Sequence, residues 1–279
     1  MSTALSTPLS ATPAPVPPAE PARRRSFVRA VPGTVPSGAL HSWDVVTGTD
    51  GPGTRFVAFL AGCPLTCLYC HNPDTRTRRS GRPVTVEELY RRVAKFYTFL
   101  RAAGGGVTVS GGEPLLQPAF TEAFLTRCHQ TGLHTALDTC GYLGTRASDA
   151  LLDATDLVLL DIKSSEPNTY RRITARPLQP TIDFAHRLAE RGNRMWVRFV
   201  LVPGLTDEPA NVAGVADIAA ELAPAVDRVE ILGYHRLGIT KWAQLGLDYP
   251  LADARPPTPG ELAAAAAPFI DRGLTTFTV

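Results

Sequence analysis

Six short apolar runs alternate with segments of helical spacing along most of this chain of 279 residues, and this alternation limits the folds open to it. Continuous runs of this kind are typical of strands buried on both faces of a parallel sheet. Helical spacing recurs at 84–103, 118–131, 181–192, 208–222 and 260–272, and Thr85 with Glu88 forms a capping-box start for the first segment. The runs are RFVAFLAG (55–62), GVTVSGG (106–112), HTALDTCG (134–141), LVLLDIKS (157–164), MWVRFVLVPG (195–204) and RVEILGYH (228–235). The sequence therefore predicts an α/β protein built from βα units.

The number of units predicts an incomplete barrel. Six βα units and the terminal LTTFTV are too few for a closed eight-stranded barrel, so we expect an incomplete (β/α)6 TIM-like barrel. In barrels of this type the chemistry lies at the C-terminal ends of the strands. We expect the polar residues that follow the strands to converge on that face; they are Cys63, Cys67, Cys70, Gly111, Gly112, Glu113, Asp138, Asp161, Lys163 and His235.

Composition limits the partners and the compartment. The 28 Lys and Arg residues nearly balance 26 acidic residues, and this net charge of +2 predicts no nucleic-acid and no membrane partner. No apolar run approaches the ~20 residues that cross a bilayer. The cysteines number five, and three of them lie within eight residues, which is poor geometry for a disulfide framework. The pattern indicates a metal or redox role in a reducing, cytoplasmic compartment.

Residues 1–36 have a different composition from the rest of the chain. Six prolines precede residue 22 and bulky apolar side chains are almost absent, so we expect a disordered tail followed by one folded domain over 37–279. The segment lacks the apolar core of a secretory signal. A transit peptide is the alternative, since Glu20 alone is acidic and Arg23 to Arg25 are basic, but the prolines would break the amphipathic helix that such peptides need.

Cys63, Cys67 and Cys70 follow the first strand with the spacing C-x3-C-x2-C, and no fourth cysteine follows in the same loop. Three thiolates can hold three irons of a 4Fe–4S cluster, which otherwise takes four cysteines, and the fourth iron is then open to a ligand. One alternative is a zinc knuckle, because a C-x2-C pair is common in zinc sites, but no suitably spaced fourth ligand follows. Another is three buried, inert thiols.

The cysteine motif, with Tyr69 before its last cysteine, resembles the signature of the radical S-adenosylmethionine (SAM) superfamily. The resemblance implies one 4Fe–4S cluster whose open iron chelates the amino and carboxylate groups of SAM. Reduction of the cluster would then cleave the sulfonium and yield a 5′-deoxyadenosyl radical. On this interpretation 37–279 is a radical SAM catalytic domain, and SAM takes the place of the fourth cysteine.

Further segments resemble the glycyl-radical-enzyme activases within that superfamily. They run in order from about Val46 to the C-terminus and include TGTDGPGTRFVAFLAGCPLTCLYCHNPDT, GGGVTVSGGEPLLQ, LDTCGY, DLVLLDIKS, VRFVLVPGLTD and YHRLGITKW. Some relatives carry an inserted ferredoxin-like module with eight more cysteines. Only Cys128 and Cys140 lie outside the cysteine motif here, which favours the branch that activates pyruvate formate-lyase.

The resemblance implies the partners as well. They are the glycyl loop of pyruvate formate-lyase and an electron donor of the flavodoxin or ferredoxin type, and the activase itself is expected to be a monomer. Three alternatives remain open at this point. They are an activase of another glycyl radical enzyme, a radical SAM enzyme for a small molecule, and a non-catalytic zinc-binding protein.

The resemblance also implies roles for individual residues around SAM. Tyr69 and His71 would lie against the adenine, although a half-buried core aromatic is the plain alternative for Tyr69. Gly111, Gly112 and Glu113 would bind the amino group, with Gly112 in direct contact, where a simple βα turn is the alternative.

Charged strand-end residues complete the expected SAM site. A carboxylate suits an ammonium or a bound monovalent cation near Asp138, and the ammonium of Lys163 suits the SAM carboxylate. The other contacts implied by the resemblance are Asp161, the backbone of Ile162, Lys163 and Ser164, and His235. A surface ion pair between Asp161 and Lys163 and a structural histidine are the plain alternatives.

Two departures from the family pattern and two partner contacts complete the expectations. Relatives usually carry Asn or Ser where this chain has Cys140, a thiol that is either prone to oxidation or a small buried hydrophobe. Relatives often carry an acidic residue where this chain has Arg236. Asp50 and Arg236 are expected to contact the protein partner. Arg76, Arg78 and Arg79 form a basic loop that either is simply solvated or meets an acidic partner.

Overall fold

The computed structural model describes residues 36–279. The prediction of a disordered tail therefore lies outside the described residues, apart from Pro36. One mixed sheet holds all the described strands, in the order β3-β1-β2-β4-β5-β6-β7-β8-β9. The strands are β1 (Ser37–Thr47), β2 (Thr54–Leu60), β3 (Arg82–Thr85), β4 (Gly106–Gly111), β5 (His134–Thr139), β6 (Leu157–Asp161), β7 (Met195–Leu201), β8 (Val226–Gly233) and β9 (Thr276–Thr278).

Helices follow the parallel strands as the sequence predicts. They are α1 (Val86–Ala94), α2 (Tyr97–Ala102), α3 (Pro118–His129), α4 (Asp149–Asp153), α5 (Pro167–Thr174), α6 (Gln179–Arg191), α7 (Pro209–Glu221), α8 (Ile239–Gln244) and α9 (Pro259–Asp271). Short 3₁₀ turns occur at Pro73–Thr75, Arg78–Ser80, Pro114–Leu116 and Gly144–Arg146. Within residues 36–279 no helix is long and apolar enough to span a membrane.

Strands β2 and β4 to β9 run parallel, so the fold is the predicted α/β partial barrel. The six predicted runs coincide with β2, β4, β5, β6, β7 and β8, and the terminal run contains β9. A sheet of this curvature places the C-terminal ends of its parallel strands at one face, which is where the polar strand-end residues lie.

Two antiparallel strands, β1 and β3, extend the sheet beyond β2 and do not appear in the sequence prediction. Strand β1 is largely exposed in its second half and has no continuous apolar run, so its pattern is weak. The predicted helix 84–103 is two helices that break at Lys95 and Phe96. Phe96 turns towards Trp43 and Phe56, with ring centroids 6.0 and 6.3 Å away, which explains the break. The capping box of Thr85 and Glu88 is confirmed.

The side chains of each strand divide between two environments because successive residues point to opposite faces. One set, which includes Phe56, Val109 and Val197, packs in the main hydrophobic core with α1, α3, α6, α7 and α9. The other set faces the inside of the partial barrel and becomes polar towards the strand ends. Register places Asp161, Arg198 and Glu230 side by side on β6, β7 and β8.

Candidate functional site

A cavity of about 490 Å³ lies at the C-terminal ends of the parallel strands and collects most of the predicted site residues. Its walls come from the loop after β2, the ends of β4 to β8 and the start of the loop after β8. The predicted residues that line it are Asp50, Cys63, Cys67, Tyr69, Cys70, His71, Gly111, Gly112, Asp138, Asp161, Lys163 and His235. The expected convergence of strand ends on one face is therefore observed.

The loop after β2, residues 62–71, carries the three cysteines and is referred to below as the cysteine loop. Cys63, Leu65, Cys67, Tyr69, Cys70 and His71 line the cavity, whereas Thr66 is exposed and does not line it. Within residues 36–279 no group of three or more His, Cys, Asp or Glu side chains is arranged to hold a single metal ion.

Backbone hydrogen bonds fix the cysteine loop from two sides. The amide of Cys63 donates to the carbonyl of Arg76 at 3.0 Å, so the chain that follows the loop folds back against it. On the other side, the amides of Thr66 and Leu68 donate to the carbonyls of Thr174 and Ile173, both at 3.0 Å, at the end of α5. The thiols are thus presented by a loop whose backbone is already paired.

Side chains hold the carbonyls of the same loop. The guanidinium of Arg76 donates to the carbonyl of Cys67 at 2.5 Å, and the indole N–H of Trp242 donates to the carbonyl of Cys70 at 2.9 Å. Arg76 also lies over the Trp242 ring, 4.4 Å from its centroid. Helix α8 thereby holds the backbone of Cys70 in place, and this is a structural role for the segment YHRLGITKW.

Burial raises the pKa of two of the three thiols, those of Cys63 and Cys67, in the protein without a bound metal. Burial, helped by the nearby carboxylate of Glu113, raises the pKa of Cys63 to about 12. Burial likewise raises the pKa of Cys67 to about 11, against the opposing effect of Lys163. Buried thiols of this kind ionise only when a positively charged metal centre compensates for the lost hydration. The donor set fits a soft-metal cluster.

Two aromatic side chains on the cysteine loop carry polar atoms without a protein partner. The hydroxyl of Tyr69 and Nε2 of His71 are buried and make no hydrogen bond to any residue of the described part of the chain. The ring of His71 stacks on that of His235 with centroids 3.8 Å apart. Burial and the nearby His235 lower the pKa of His71 to about 4, so the stacked ring is neutral at pH 7. A buried polar atom without a partner calls for an explanation, and a ligand in the cavity that these two side chains line would provide one.

A charged network crosses the inner wall of the cavity. Arg198 Nη1 lies 3.2 Å from a carboxylate oxygen of Asp138, and its Nε lies 3.6 Å from a carboxylate oxygen of Glu230. Lys163 Nζ donates to Asp161 at 2.9 Å. All three ion pairs are largely buried, so screening by solvent is weak.

Asp138 and Asp161, two of the carboxylates in this network, differ in pKa. Burial raises the pKa of Asp138 to about 7, even though Arg198 opposes the shift. Burial would also raise the pKa of Asp161, but Lys163 and Arg198 lower it overall. At neutral pH Asp161 is therefore a fixed carboxylate, whereas the charge of Asp138 responds to the charge of whatever binds beside it.

The two glycines after β4 allow the backbone to approach the cysteine loop. Gly111 has φ +120°, a conformation that other residues rarely adopt, and a Cβ there would lie 2.3 Å from the backbone of Leu60. A Cβ on Gly112 would lie 2.3 Å from the carbonyl oxygen of Gly62. Both positions require glycine, and both border the cavity.

Four predicted site residues do not line the cavity. The buried carboxylate of Glu113 accepts hydrogen bonds from Thr139, from the amide of Leu115 and from both the amide and the thiol of Cys140. Ile162 is buried, Ser164 donates to Asn211 at 2.6 Å, and Arg236 donates to the carbonyl of Ala252 at 3.0 Å. These four residues support the walls from behind or lie outside them.

Sequence reasoning missed several residues of the site. Arg198 and Glu230 line the cavity, as does Ser110, whose hydroxyl donates to Asp138 at 2.6 Å. Arg198 interrupts the apolar run MWVRFVLVPG and Glu230 interrupts RVEILGYH, and charges inside buried strands are a signal that sequence analysis can use. Trp242 and its neighbour Lys241 belong to a segment that the sequence singles out without giving it a role.

Comparison with known proteins agrees with this geometry. Residues 57–214 match the model of the Radical SAM superfamily. The pyruvate formate-lyase-activating enzyme of Listeria monocytogenes is 41% identical over 226 residues, 79% of this chain and 91% of that protein. The enzyme of the same name from Clostridium pasteurianum is 44% identical over 216 residues, 77% of this chain and 90% of that protein.

A solved structure extends the comparison to three dimensions. It is a domain of the pyruvate-formate lyase-activating enzyme from Bacteroides vulgatus, with a TM-score of 0.52 and 26% identity over 63% of this chain and 99% of that one. The resemblance expected from the cysteine motif and the ordered segments is thus confirmed. This chain belongs to the radical SAM superfamily and, within it, to the family of pyruvate formate-lyase-activating enzymes.

Proposed function

We propose that this protein is a radical SAM activase that generates a glycyl radical on pyruvate formate-lyase. The observation that carries the proposal is the placement of three thiols on one wall of a cavity whose other walls carry fixed charges and unpartnered polar atoms. Family membership points to the same activity. The relatives favour the cluster interpretation of the cysteines over a zinc knuckle or inert thiols.

The residues present fit both a 4Fe–4S cluster and SAM. Cys63, Cys67 and Cys70 supply three soft ligands and leave one corner of a cluster to another molecule. The cavity of about 490 Å³ lies within the range of small-molecule sites, about 300–1,000 Å³. The backbone approach at Gly112 offers space for an amino-acid group beside the thiols.

Held by Cys63, Cys67 and Cys70, the cluster would supply the electron for reductive cleavage of SAM, and this chemistry would in turn remove a hydrogen atom from a glycine of the partner. The chain's own task is to bind, to orient and to keep water out. Tyr69 and His71 present a stacking surface and two polar atoms to the adenine. Since His71 is neutral, its stack with His235 adds no cationic repulsion against the sulfonium.

Charged groups fix the amino-acid end of SAM in this proposal. The ammonium of Lys163 attracts the SAM carboxylate, while its bond to Asp161 keeps it in place. Asp138 accepts the SAM ammonium or a monovalent cation beside it, and Arg198 and Ser110 hold that carboxylate in position. His235 reaches the ribose or the carboxylate. The side chains of Glu113, Ile162 and Ser164 support the walls from behind, and the backbone of Ile162 to Ser164 supplies a further contact with SAM in this proposal.

The partner and the setting form the finer part of the proposal. The glycyl loop of pyruvate formate-lyase enters the open end of the cavity, where Asp50 lies on the wall and Arg236 lies nearby on the outside. A flavodoxin- or ferredoxin-type protein donates the electron. The enzyme acts as a cytoplasmic monomer, and residues 37–279 form its catalytic domain.

The direct test combines the anaerobically reconstituted protein, SAM, a reductant and pyruvate formate-lyase. We expect a glycyl radical by electron paramagnetic resonance and one 5′-deoxyadenosine for each radical formed. A Cys67→Ala variant is the control that removes one thiol. If SAM is cleaved but no glycyl radical forms, a panel of other glycyl radical enzymes tests the nearest alternative, and activity on one of them would replace pyruvate formate-lyase as the partner.

A further inference from the structure

The outer side of the cysteine loop presents a small apolar surface that the activity does not yet explain. Pro64, Thr66 and Leu68 do not line the cavity, although the residues on either side of each of them do. Thr66 is exposed, and Pro64 and Leu68 are half-buried. The three residues belong to the same loop as the thiols of Cys63 and Cys67.

Two arginine-rich segments border this surface, and both are bonded to the cysteine loop. Residues 75–79 read TRTRR and residues 170–176 read YRRITAR, which together hold six arginines and no acidic residue. The guanidinium of Arg176 donates to the carbonyl of Pro64 at 2.8 Å, as that of Arg76 does to the carbonyl of Cys67 at 2.5 Å. The backbone of α5 at Ile173 and Thr174 completes the contact.

The concentration of positive charge here contrasts with the rest of the chain. Overall 28 basic residues face 26 acidic ones, so removing six arginines leaves 22 against 26 elsewhere. The carboxylate nearest in sequence, Asp74, already lies 3.3 Å from His41 and 3.5 Å from Lys241. Arg171 and Arg172 are exposed in the last turn of α5.

We propose that this surface, defined by Pro64, Thr66, Leu68, Arg79, Arg171 and Arg172 and called the donor face below, docks an acidic one-electron carrier protein. The inference rests on the proposed function, in which SAM and the glycyl loop occupy the cavity and leave the outer side as the short route to the cluster. An apolar centre with a cationic rim complements the surface of an acidic redox protein. One electron leaves the carrier and enters the cluster, and no bond forms or breaks in that step.

The test compares two reductants on the reconstituted holoenzyme. Reduced flavodoxin is the acidic carrier, and sodium dithionite is a small reductant that needs no docking surface. For Arg171→Glu/Arg172→Glu we expect 5′-deoxyadenosine formation driven by flavodoxin to slow by about tenfold at ~0.01 M ionic strength, where charges act over ~30 Å. The rate driven by dithionite should stay within about twofold of the unmodified protein, because no docking is involved.

A matched variant controls for the charge reversal itself. Arg91 and Arg92 are likewise exposed neighbours in the last turn of a helix, α1, and no hydrogen bond within residues 36–279 joins α1 to the cysteine loop. Arg91→Glu/Arg92→Glu suffers the same unfavourable interaction with its helix dipole. We expect it to keep both rates. Arg79→Glu, in the other arginine-rich segment, should repeat the selective loss in weaker form.

Binding is measured independently of turnover. By calorimetry we expect flavodoxin to bind Arg171→Glu/Arg172→Glu about tenfold more weakly than the unmodified holoenzyme, with no change for the α1 pair. Equal affinities, or equal flavodoxin-driven rates in all variants, would overturn the donor face while the proposed function survives. If neither reductant supports SAM cleavage by the unmodified holoenzyme, the proposed function fails and the donor face with it.

Discussion

Replacement of Trp242 by phenylalanine tests whether α8 holds the cysteine loop in place. Trp242 is only 4% exposed, and its indole N–H donates to the carbonyl of Cys70 at 2.9 Å. Its ring lies under the guanidinium of Arg76 and meets the ring of Tyr249 edge-on at 5.5 Å. Phenylalanine keeps an aromatic ring at this position but removes the donor that fixes the last cysteine.

The expected cost follows from these contacts. A buried carbonyl that loses its donor costs ~1–3 kcal/mol, and a smaller ring weakens the contact with Arg76 by about 0.5 kcal/mol. We take about 2 kcal/mol for the sum, which lowers Tm by about 4–8 °C for a folded domain of this size. Because the lost bond acts on a cysteine, the cluster should also be held less firmly.

Two measurements check this expectation. Scanning calorimetry of the cluster-free protein gives the change in Tm, and iron retained by the reconstituted protein under a chelator challenge reports on the cysteine loop. Trp43→Phe is the control, since Trp43 stacks on Phe56 at 5.1 Å instead of contacting the cysteine loop. Iron retention equal to that of the unmodified protein, or an equal loss of iron in Trp43→Phe, would refute the clamping role of α8.

Four further perturbations test the site. Gly112→Ala places a Cβ 2.3 Å from a carbonyl oxygen, so we expect ~1–3 kcal/mol less stability in urea unfolding and loss of SAM binding by equilibrium dialysis. Glu113→Gln replaces an acceptor of four hydrogen bonds by a group that also donates, and urea unfolding should show a loss of about 3 kcal/mol or more. Lys163→Met leaves the Asp161 carboxylate without its bonded ammonium, and the holoenzyme should bind SAM at least about tenfold more weakly. Protons compete with the SAM ammonium for Asp138, whose pKa is raised by burial to about 7, so SAM binding should tighten as pH rises through that value, and an Asp138→Asn variant should lose this dependence.

Sequence patterns predicted the parallel strands well because buried parallel strands leave continuous apolar runs. They failed at the antiparallel edge, where β1 is largely exposed in its second half and carries no such run. They also joined α1 and α2 into one helix, because the helical spacing continues through Phe96 while the turn there is decided by ring contacts with Trp43 and Phe56. Contacts between residues distant in sequence decide these points, and a local pattern does not contain them.

The candidate site shows the same division. The spacing of Cys63, Cys67 and Cys70 and the position of Gly111 and Gly112 after β4 identify these residues in the sequence, and all five line the cavity. The sequence predicts Glu113 as a SAM contact because it follows the two glycines. In the structure its side chain caps the turn Pro114–Leu116 and accepts a hydrogen bond from the thiol of Cys140. The sequence does not predict Arg198 as a site residue. Its role depends on its pairing with Asp161 and Glu230 on the neighbouring strands, and that pairing exists only once the sheet has formed.

The charges on the cavity wall explain why a cationic molecule suits this site. Asp50, Asp138, Asp161 and Glu230 line the cavity together with Lys163 and Arg198, and Arg228 also pairs with Glu230, so four ionised carboxylates exceed three cations by one negative charge. In a buried site such an excess is unfavourable: burial first, and then the nearby Asp161 and Asp50, raise the pKa of Asp138 to about 7, so this carboxyl is partly protonated at neutral pH. SAM carries one net positive charge through its sulfonium and ammonium groups. A bound molecule of that charge lets Asp138 ionise and balances the wall, whereas a neutral analogue without the sulfonium would leave the excess in place.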